Sequence, residues 1–320
     1  MKAAVRFDYG PPDLIRIKEM PRPTPMPDEV LVKVHAATVN RTDCANLMAK
    51  PFIMRFVIGF FKPKLPITGT DFSGVIEAVG EQVSQFKVGD KVWGFKDAGL
   101  SSHAEFITFP QDGAMVTVPD GISFEQATAS AEGAHYAYNI INKVKLLTGQ
   151  KAVVNGATGA IGSALVQLLR ANQIEVTAVC GREHLDLVRS LGASKVIDYQ
   201  SQDFTKDTEV YDFVFDAVGK STFGKCKPLL KDKGVYISSE LGPYSQNPFF
   251  ALITPFLGGK KVIFPVPLNP KASLVLMRDL LETGKFKPVI DKSYPLDEIA
   301  DAFRYVMSSN KIGNVIVNIR

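Results

Sequence analysis

Two periods of hydrophobic residues divide this chain. Up to about residue 120, apolar and polar positions alternate in short runs broken by Gly and Pro: EVLVKVHAATVN (29–40), GVIEAVG (74–80), DKVWGF (90–95) and HAEFITFP (103–110). A period of two marks strands with one buried face, and breakers at this density predict a compact, mostly antiparallel β module. At Ser123 the period changes. Ser123, with Gln126 three residues on, has the pattern of a capping box and opens a helical run through Ala127, Ala131, Ala134 and Ile140. From Lys151 strands and helices alternate, with strands expected near 151–155, 175–180, 195–199, 211–217 and 234–239, and a last one at 260–266. The helix over 183–191 is closed by Gly192 as a C-terminal cap. Such alternation predicts an α/β fold with a doubly wound parallel sheet, whose ligand crevice lies at the carboxyl ends of the strands. The tail leaves this pattern with helices near 271–283 and from about Asp297 to Met307, then a strand from Asn314 to Ile319. It is expected to return and complete the N-terminal module.

The first strand of the alternating region runs into KAVVNGATGAIGSALVQLLRA (151–171). Gly156 permits a sharp turn, Gly159 lets backbone N–H groups approach a pyrophosphate, and Gly162 lets helix and strand pack closely. With Ala157, Thr158, Ala160 and Ile161 between them, these residues form a candidate dinucleotide cradle. The alternative is an ordinary strand-to-helix turn that binds nothing. An NAD-preferring site places Asp or Glu about 20 residues beyond the last glycine, on the ribose hydroxyls. This chain has Gly181 and Arg182 there. A guanidinium pairs with a 2′-phosphate that a carboxylate would repel, so the expected cofactor is NADP(H). The competing reading makes Arg182 a solvated helix-start residue and the cofactor NAD. Tyr199, closing VIDY, either covers the adenine or donates to the phosphate, or is a plain strand-end aromatic.

Composition narrows the class. A chain of 320 residues has the length of about two domains, and its three cysteines, Cys44, Cys180 and Cys226, have no short-range pairing, which fits a reducing compartment. The net charge of +4 is scattered, so nucleic acid is not an expected partner. The opening MKAAVRFDYG has no apolar signal core and already carries Asp8, giving a cytoplasmic expectation. Pro51–Phe61 (PFIMRFVIGFF) is too short to span a bilayer and carries Arg55; it is expected to pack as a lid or wall beside an active-site cleft, with contact to a membrane surface as the alternative.

GTDFSGVIEAVG (69–80), FKVGDKVWGF (86–95), the glycine cradle, LGASKVIDY (191–199) and KIGNVIV (311–317) together resemble the medium-chain dehydrogenase/reductase superfamily, most of all its zinc-free quinone oxidoreductases and enone reductases. The resemblance covers essentially the whole chain. It implies a GroES-like catalytic domain over 1–124, completed by 265–320, a Rossmann coenzyme domain over 125–264, a cleft between them and a homodimer. Zinc-dependent members carry a ligand Cys where this chain has Asn40 or Arg41, and Gly-His-Glu where it has Gly69-Thr70-Asp71, so both this metal site and the four-cysteine structural site are expected to be absent. Without a Lewis acid, alcohol oxidation is hard. Hydride transfer to a quinone or enone leaves a delocalised charge that hydrogen-bond donors can stabilise.

The resemblance also implies site residues. Asn40 would present its amide toward nicotinamide and substrate, or is a strand-end Asn. Asp43 would cap the next turn or orient Asn40. Val218, Gly219, Leu241, Phe264 and Asn314 would line the cofactor path, a core role being open for Val218 and Leu241. Zinc-free relatives commonly read GLTA where this chain has AEGAHYAY, which puts His135 at their Thr; Glu132, three residues earlier on the same helix face, would raise the histidine pKa for proton transfer. The alternative gives His135 only a hydrogen-bonding role. The leading expectation is an NADPH-dependent reductase of quinones or α,β-unsaturated carbonyls; an NADPH-binding sensor with little turnover and an alcohol dehydrogenase with unexpected metal ligands are the alternatives.

Overall fold

The computed structural model describes Met1–Ile319 and divides into two units, one of Met1–Glu132 with the segment from Asn269 onward, the other of Gly133–Leu268. In the first unit the strands are β1 (Lys2–Val5), β2 (Arg16–Glu19), β3 (Glu29–Val39), β4 (Asp71–Val79), β5 (Lys91–Phe95), β6 (Phe106–Pro110) and β7 (Met115–Thr117). Its helices are α1 (Arg41–Met48), α2 (Arg55–Ile58) and α3 (Phe124–Ala129), and α4 (Glu132–Ile141) opens at its last residue. In the second unit follow β8 (Lys151–Asn155), α5 (Ala160–Ala171), β9 (Glu175–Cys180), α6 (Leu185–Leu191), β10 (Lys195–Asp198), β11 (Tyr211–Asp216), α7 (Phe223–Cys226), β12 (Leu230–Ser238), α8 (Gln246–Ile253) and β13 (Lys261–Ile263). The tail adds α9 (Pro270–Glu282), β14 (Ile290–Pro295), α10 (Ile299–Met307) and β15 (Asn314–Asn318) to the first unit.

The main sheet of the first unit runs β14-β15-β3-β4-β5-β7, with β6 also on β3. β3 is central and largely buried on both faces, which is why its apolar run is denser than simple alternation. Gly74 stands where β4 slips register against β3, and a Cβ there would meet the Lys33 carbonyl oxygen at 2.1 Å. The tail returns: β15 pairs antiparallel with β3, and α10 adds Phe303 and Val306 to a core of Val32, Val34, Phe72 and Ile76.

The second unit is a parallel sheet in the order β10-β9-β8-β11-β12-β13. Numbered from β8, this is the doubly wound order 3-2-1-4-5-6, whose crevice opens between the first and fourth strands. Gly192, at φ +112°, closes α6.

Three features depart from the sequence pattern. The helical run from Ser123 is two helices, because Ser130 caps α3 and its hydroxyl donates to the Gln126 carbonyl at 2.8 Å. α3 packs on β3, β4 and β15, and so the units divide after Glu132 and Leu268 where the sequence pattern placed boundaries after residues 124 and 264. β14 (IDKSYP) is mostly exposed and carries no apolar alternation to betray it. The Pro51–Phe61 segment folds as a 3₁₀ turn and α2; Phe52, Phe56, Phe60 and Phe61 lean edge-on against one another yet stay exposed. No helix among the described residues is long and apolar enough to cross a membrane.

Candidate active site

In the second unit β8 ends at Asn155 and Gly156 turns the chain at φ +78°, where a Cβ would come within 2.8 Å of Val218. Gly162 lies under that turn. A Cβ on it would stand 2.1 Å from the Gly156 carbonyl oxygen, so only hydrogen fits. Gly159 is the N-cap of α5 without a side-chain cap, and a Cβ on it would meet nothing nearer than 3.6 Å. The approach to the opening N–H groups of Ala160, Ile161 and Gly162 is therefore clear, with Ala157 and Thr158 completing the loop. Gly133, in the first turn of α4, packs so closely on Ala160 that a Cβ would be 2.7 Å from its methyl. Helix α4 is thereby fixed against the cradle.

Across the crevice the buried carboxylate of Asp216 holds the loop after β11. It accepts from Asn155 Nδ2 (3.0 Å), the backbone N–H groups of Val218 (3.3 Å), Gly219 (3.0 Å) and Ser221 (3.0 Å), and the Tyr236 hydroxyl (3.2 Å). The sequence reading singled out Val218 and Gly219 but missed the residue that positions them. An Asp closing an apolar strand, with Gly three residues on, was the available signal. Val218 is 37% exposed and so is no core residue. Leu241 and Phe264, both half-buried, follow the ends of β12 and β13. Asn314 lies in the first unit, where its amide donates to the Val289 carbonyl (3.0 Å) and holds the start of β15.

Gly181 leads into a 3₁₀ turn at Arg182–His184. The Arg182 side chain is 71% exposed, and its Nε donates to Asp198 Oδ2 at 3.1 Å. The sequence reading placed Gly181 and Arg182 where an acid would stand; Glu183 follows directly, and the fold brings a further acid to Arg182 from the end of β10. Hydrogen bonding from the Gln200 backbone N–H holds the Asp198 carboxyl below its ordinary range, with Ser201 and Arg182 assisting. Tyr199 beside it is 60% exposed.

In the first unit Asn40 ends β3 and caps α1. Its Oδ1 accepts from the Asp43 N–H (2.8 Å), and Asp43 returns the bond by accepting from the Asn40 N–H (3.1 Å). Asn40 Nδ2 donates to Thr70 Oγ1 at 2.9 Å, with longer contacts to Thr38 Oγ1 and Asp71 Oδ2. The amide expected to face substrate is thus engaged at both ends and only 3% exposed. Asp71 accepts from the Thr38 N–H (2.7 Å) and hydroxyl (2.5 Å). Burial nevertheless pushes its carboxyl up to about 7, and pushes Asp43 well above the usual range.

Glu132 and His135 both lie on α4. Glu132 accepts from the Thr42 hydroxyl (2.9 Å) and is pushed up to about 7 by burial, Thr42 and Lys311 opposing that rise. His135 is pushed down to about 4 by burial, the reverse of the predicted rise. Asn139 donates to the His135 carbonyl (2.9 Å) and accepts from the Leu268 N–H (2.9 Å), pinning this stretch of the second unit.

Comparison with known proteins agrees with this geometry. The alcohol dehydrogenase GroES-like domain matches residues 26–134, and the zinc-binding dehydrogenase domain matches 191–317. The chain is 30% identical to the 2-methylene-furan-3-one reductase of Solanum lycopersicum, over 99% of this chain and 79% of that protein. It is also 30% identical to the NADPH-dependent alkenal/one oxidoreductase, chloroplastic, of Arabidopsis thaliana, with the same shares covered. The chain belongs to the medium-chain dehydrogenase/reductase superfamily, in its quinone oxidoreductase-like branch. The solved quinone oxidoreductase of Coxiella burnetii has the same fold, with a TM-score of 0.88 at 22% identity over 100% of this chain and 99% of that one.

Family membership raises the question of zinc, and the residues do not fit it. Zinc takes thiolate, imidazole or carboxylate ligands in a tetrahedron. Here Thr70 offers a hydroxyl, Asn40 an amide already spent, and Asp71 is held by Thr38. Among the described residues no three His, Cys, Asp or Glu side chains are grouped to hold a metal ion.

The buried acids set a pH dependence of stability. A carboxyl whose folded pKa is about 7, against an ordinary 4.5, stabilises fully below pH 4.5 and loses that contribution as pH rises to about 7. Glu132→Gln, which can still accept from Thr42, is expected to reduce the loss of stability between pH 5 and 8 by on the order of 2 kcal/mol. Urea unfolding across that range checks it; a slope equal to the parent's would refute the assignment.

Proposed function

We propose that this chain is an NADPH-dependent reductase of quinones or α,β-unsaturated carbonyls that works without a metal. The observation carrying this reading is the Asn40–Thr70–Asp71 network, which puts neutral donors and hydrogen-bonded acids where alcohol dehydrogenases need metal ligands. The names of the tomato and Arabidopsis relatives support the same substrate class. The cradle fits a dinucleotide, since Gly156 and Gly162 leave no room for side chains and Gly159 leaves the helix start open.

The bound nicotinamide supplies a hydride; the chain's own residues bind, orient and handle protons. The N–H groups that open α5 would hold the pyrophosphate, and Asp216 would shape the loop that faces the ring. Asn40 is a positioning residue: it donates to the oxygen of the Thr70 hydroxyl, which in turn donates to Asp43. Glu132 is the proton reservoir: with a pKa of about 7 it is half-protonated at neutral pH, and Thr42 fixes its orientation. His135, neutral above about pH 4, serves as a hydrogen-bonding group.

Three measurements test the proposal. Turnover with a quinone and an enone should survive exhaustive chelation, and loss restored by zinc would overturn the metal-free reading. Arg182→Ala should weaken NADPH by about 1–3 kcal/mol and leave NADH nearly unchanged, whereas Asp198→Asn, by releasing the guanidinium, should tighten NADPH. Equal effects on both cofactors would refute the role of Arg182. Glu132→Gln should remove the limb near pH 7 from the kcat profile while His135→Gln keeps it; the opposite pattern would return the proton role to the histidine.

A further inference from the structure

Behind the Asn40–Asp43 box lies a cavity of about 230 Å³, lined within the first unit by Arg6, Asp43, Asn46, Thr68, Lys64 and Lys96 among others. Arg6 is only 5% exposed, and its Nε and Nη1 are buried without a hydrogen-bond partner. A buried, unpaired donor on a charged group is costly, and such groups are nearly always satisfied by something. The guanidinium is also oriented: its carbon lies 5.2 Å from the centre of the Tyr9 ring, and the Tyr9 hydroxyl is tied to the Gly59 carbonyl (2.7 Å). Asn46 donates to the Asp97 carbonyl (3.1 Å) but leaves its Oδ1 buried and unpartnered. The volume far exceeds the roughly 30 Å³ share of one water.

We propose that this cavity is a subsite for the carboxylate of the acceptor, anchored by Arg6. The substrate class is then an enone whose far end carries a carboxylate, of the 4-oxo-2-enoate kind. Arg6, Lys64 and Lys96 outweigh the single acid on the wall, Asp43, whose oxygens already accept from the Asn40 N–H and Thr70. A guanidinium is the side chain best matched to a planar carboxylate, and a water hydrating the carboxylate could donate to Asn46 Oδ1. Because Asp43 belongs both to the cavity wall and to the Asn40 box, an anion held there lies one side chain away from Asn40. This inference rests on the reductase reading for the substrate's reactive end, but the anion site itself does not.

The test begins with the unmodified protein, free of cofactor. Calorimetric titration should show levulinate, a saturated keto acid, binding roughly tenfold or more tightly than the neutral 2-pentanone, and Arg6→Gln should erase that preference while Arg6→Lys keeps part of it. In turnover, Arg6→Gln should raise KM for 4-oxo-2-pentenoate roughly tenfold and leave kcat and KM for 3-penten-2-one as in the parent. Equal binding of acid and ketone by the unmodified protein overturns the subsite, whatever the variants do. A preference that persists in a folded Arg6→Gln protein also overturns it. If the acid is preferred and neither enone is reduced, the subsite stands and the reductase reading falls; if both are reduced with no preference for the acid, the reverse holds.

Discussion

The first unit depends on how Thr38 is held. Its N–H and hydroxyl donate to Asp71 across the β3–β4 pair, and its carbonyl meets His103 Nε2 at 2.8 Å. His103 is buried and pushed down to about 4, so it is neutral near pH 7. A neutral ring that meets a carbonyl at Nε2 must donate there, which leaves Nδ1 to accept from the Thr68 hydroxyl at 2.8 Å. Every polar group of Thr38 is therefore bound, and β3 reaches Asn40 without freedom. The position of Asn40, the capping of α1 and the aim of Thr70 all follow from that.

Such a network exacts a cost in burial that only good partners offset. Asp71 and Glu132 both sit near 7 and Asp43 sits well above its ordinary range, each because burial disfavours the anion. Each is held by its own set of partners. Asp71 is bound by two donors of Thr38, and Asp43 is locked into a capping box, so a change of charge on either would strain the fold. Glu132 accepts from both the hydroxyl and the backbone N–H of Thr42 and feels the attraction of Lys311.

The parts of this protein legible in its sequence are those carried by period or by glycine. The alternation in β3 and β4, the βαβ rhythm after Lys151 and the Gly156–Gly159–Gly162 spacing are local, and local patterns survive translation into one dimension. Asp216 was hidden because its five partners lie on β8, β12 and its own loop, and only pairing brings them together. Asp198 was hidden for the same reason: β10 lies parallel to β9, so the residue opposite Cys180 is sixteen positions from Arg182 in sequence but beside it in space. Glu132 and His135 show where spacing stops being informative. Their spacing on one helix face was read correctly, but burial and Thr42 decide their charges.

In the proposed NADPH site, the Arg182–Asp198 pair would bear on cofactor choice in a way that neither residue would alone. An exposed guanidinium by itself would draw any phosphate, at the expense of solvent, and an exposed carboxylate by itself would favour free ribose hydroxyls. Paired through Nε, the arginine keeps a fixed direction while part of its charge is neutralised, so an incoming 2′-phosphate gains an oriented partner but must compete with Asp198 for it. On the proposed reading, discrimination between the two nicotinamide cofactors would be set by a difference between a carboxylate–guanidinium and a phosphate–guanidinium contact, each weakened by salt. The selectivity of this site should consequently be smaller than an unpaired arginine would give, and less sensitive to ionic strength, because salt weakens the competing Asp198 contact as well.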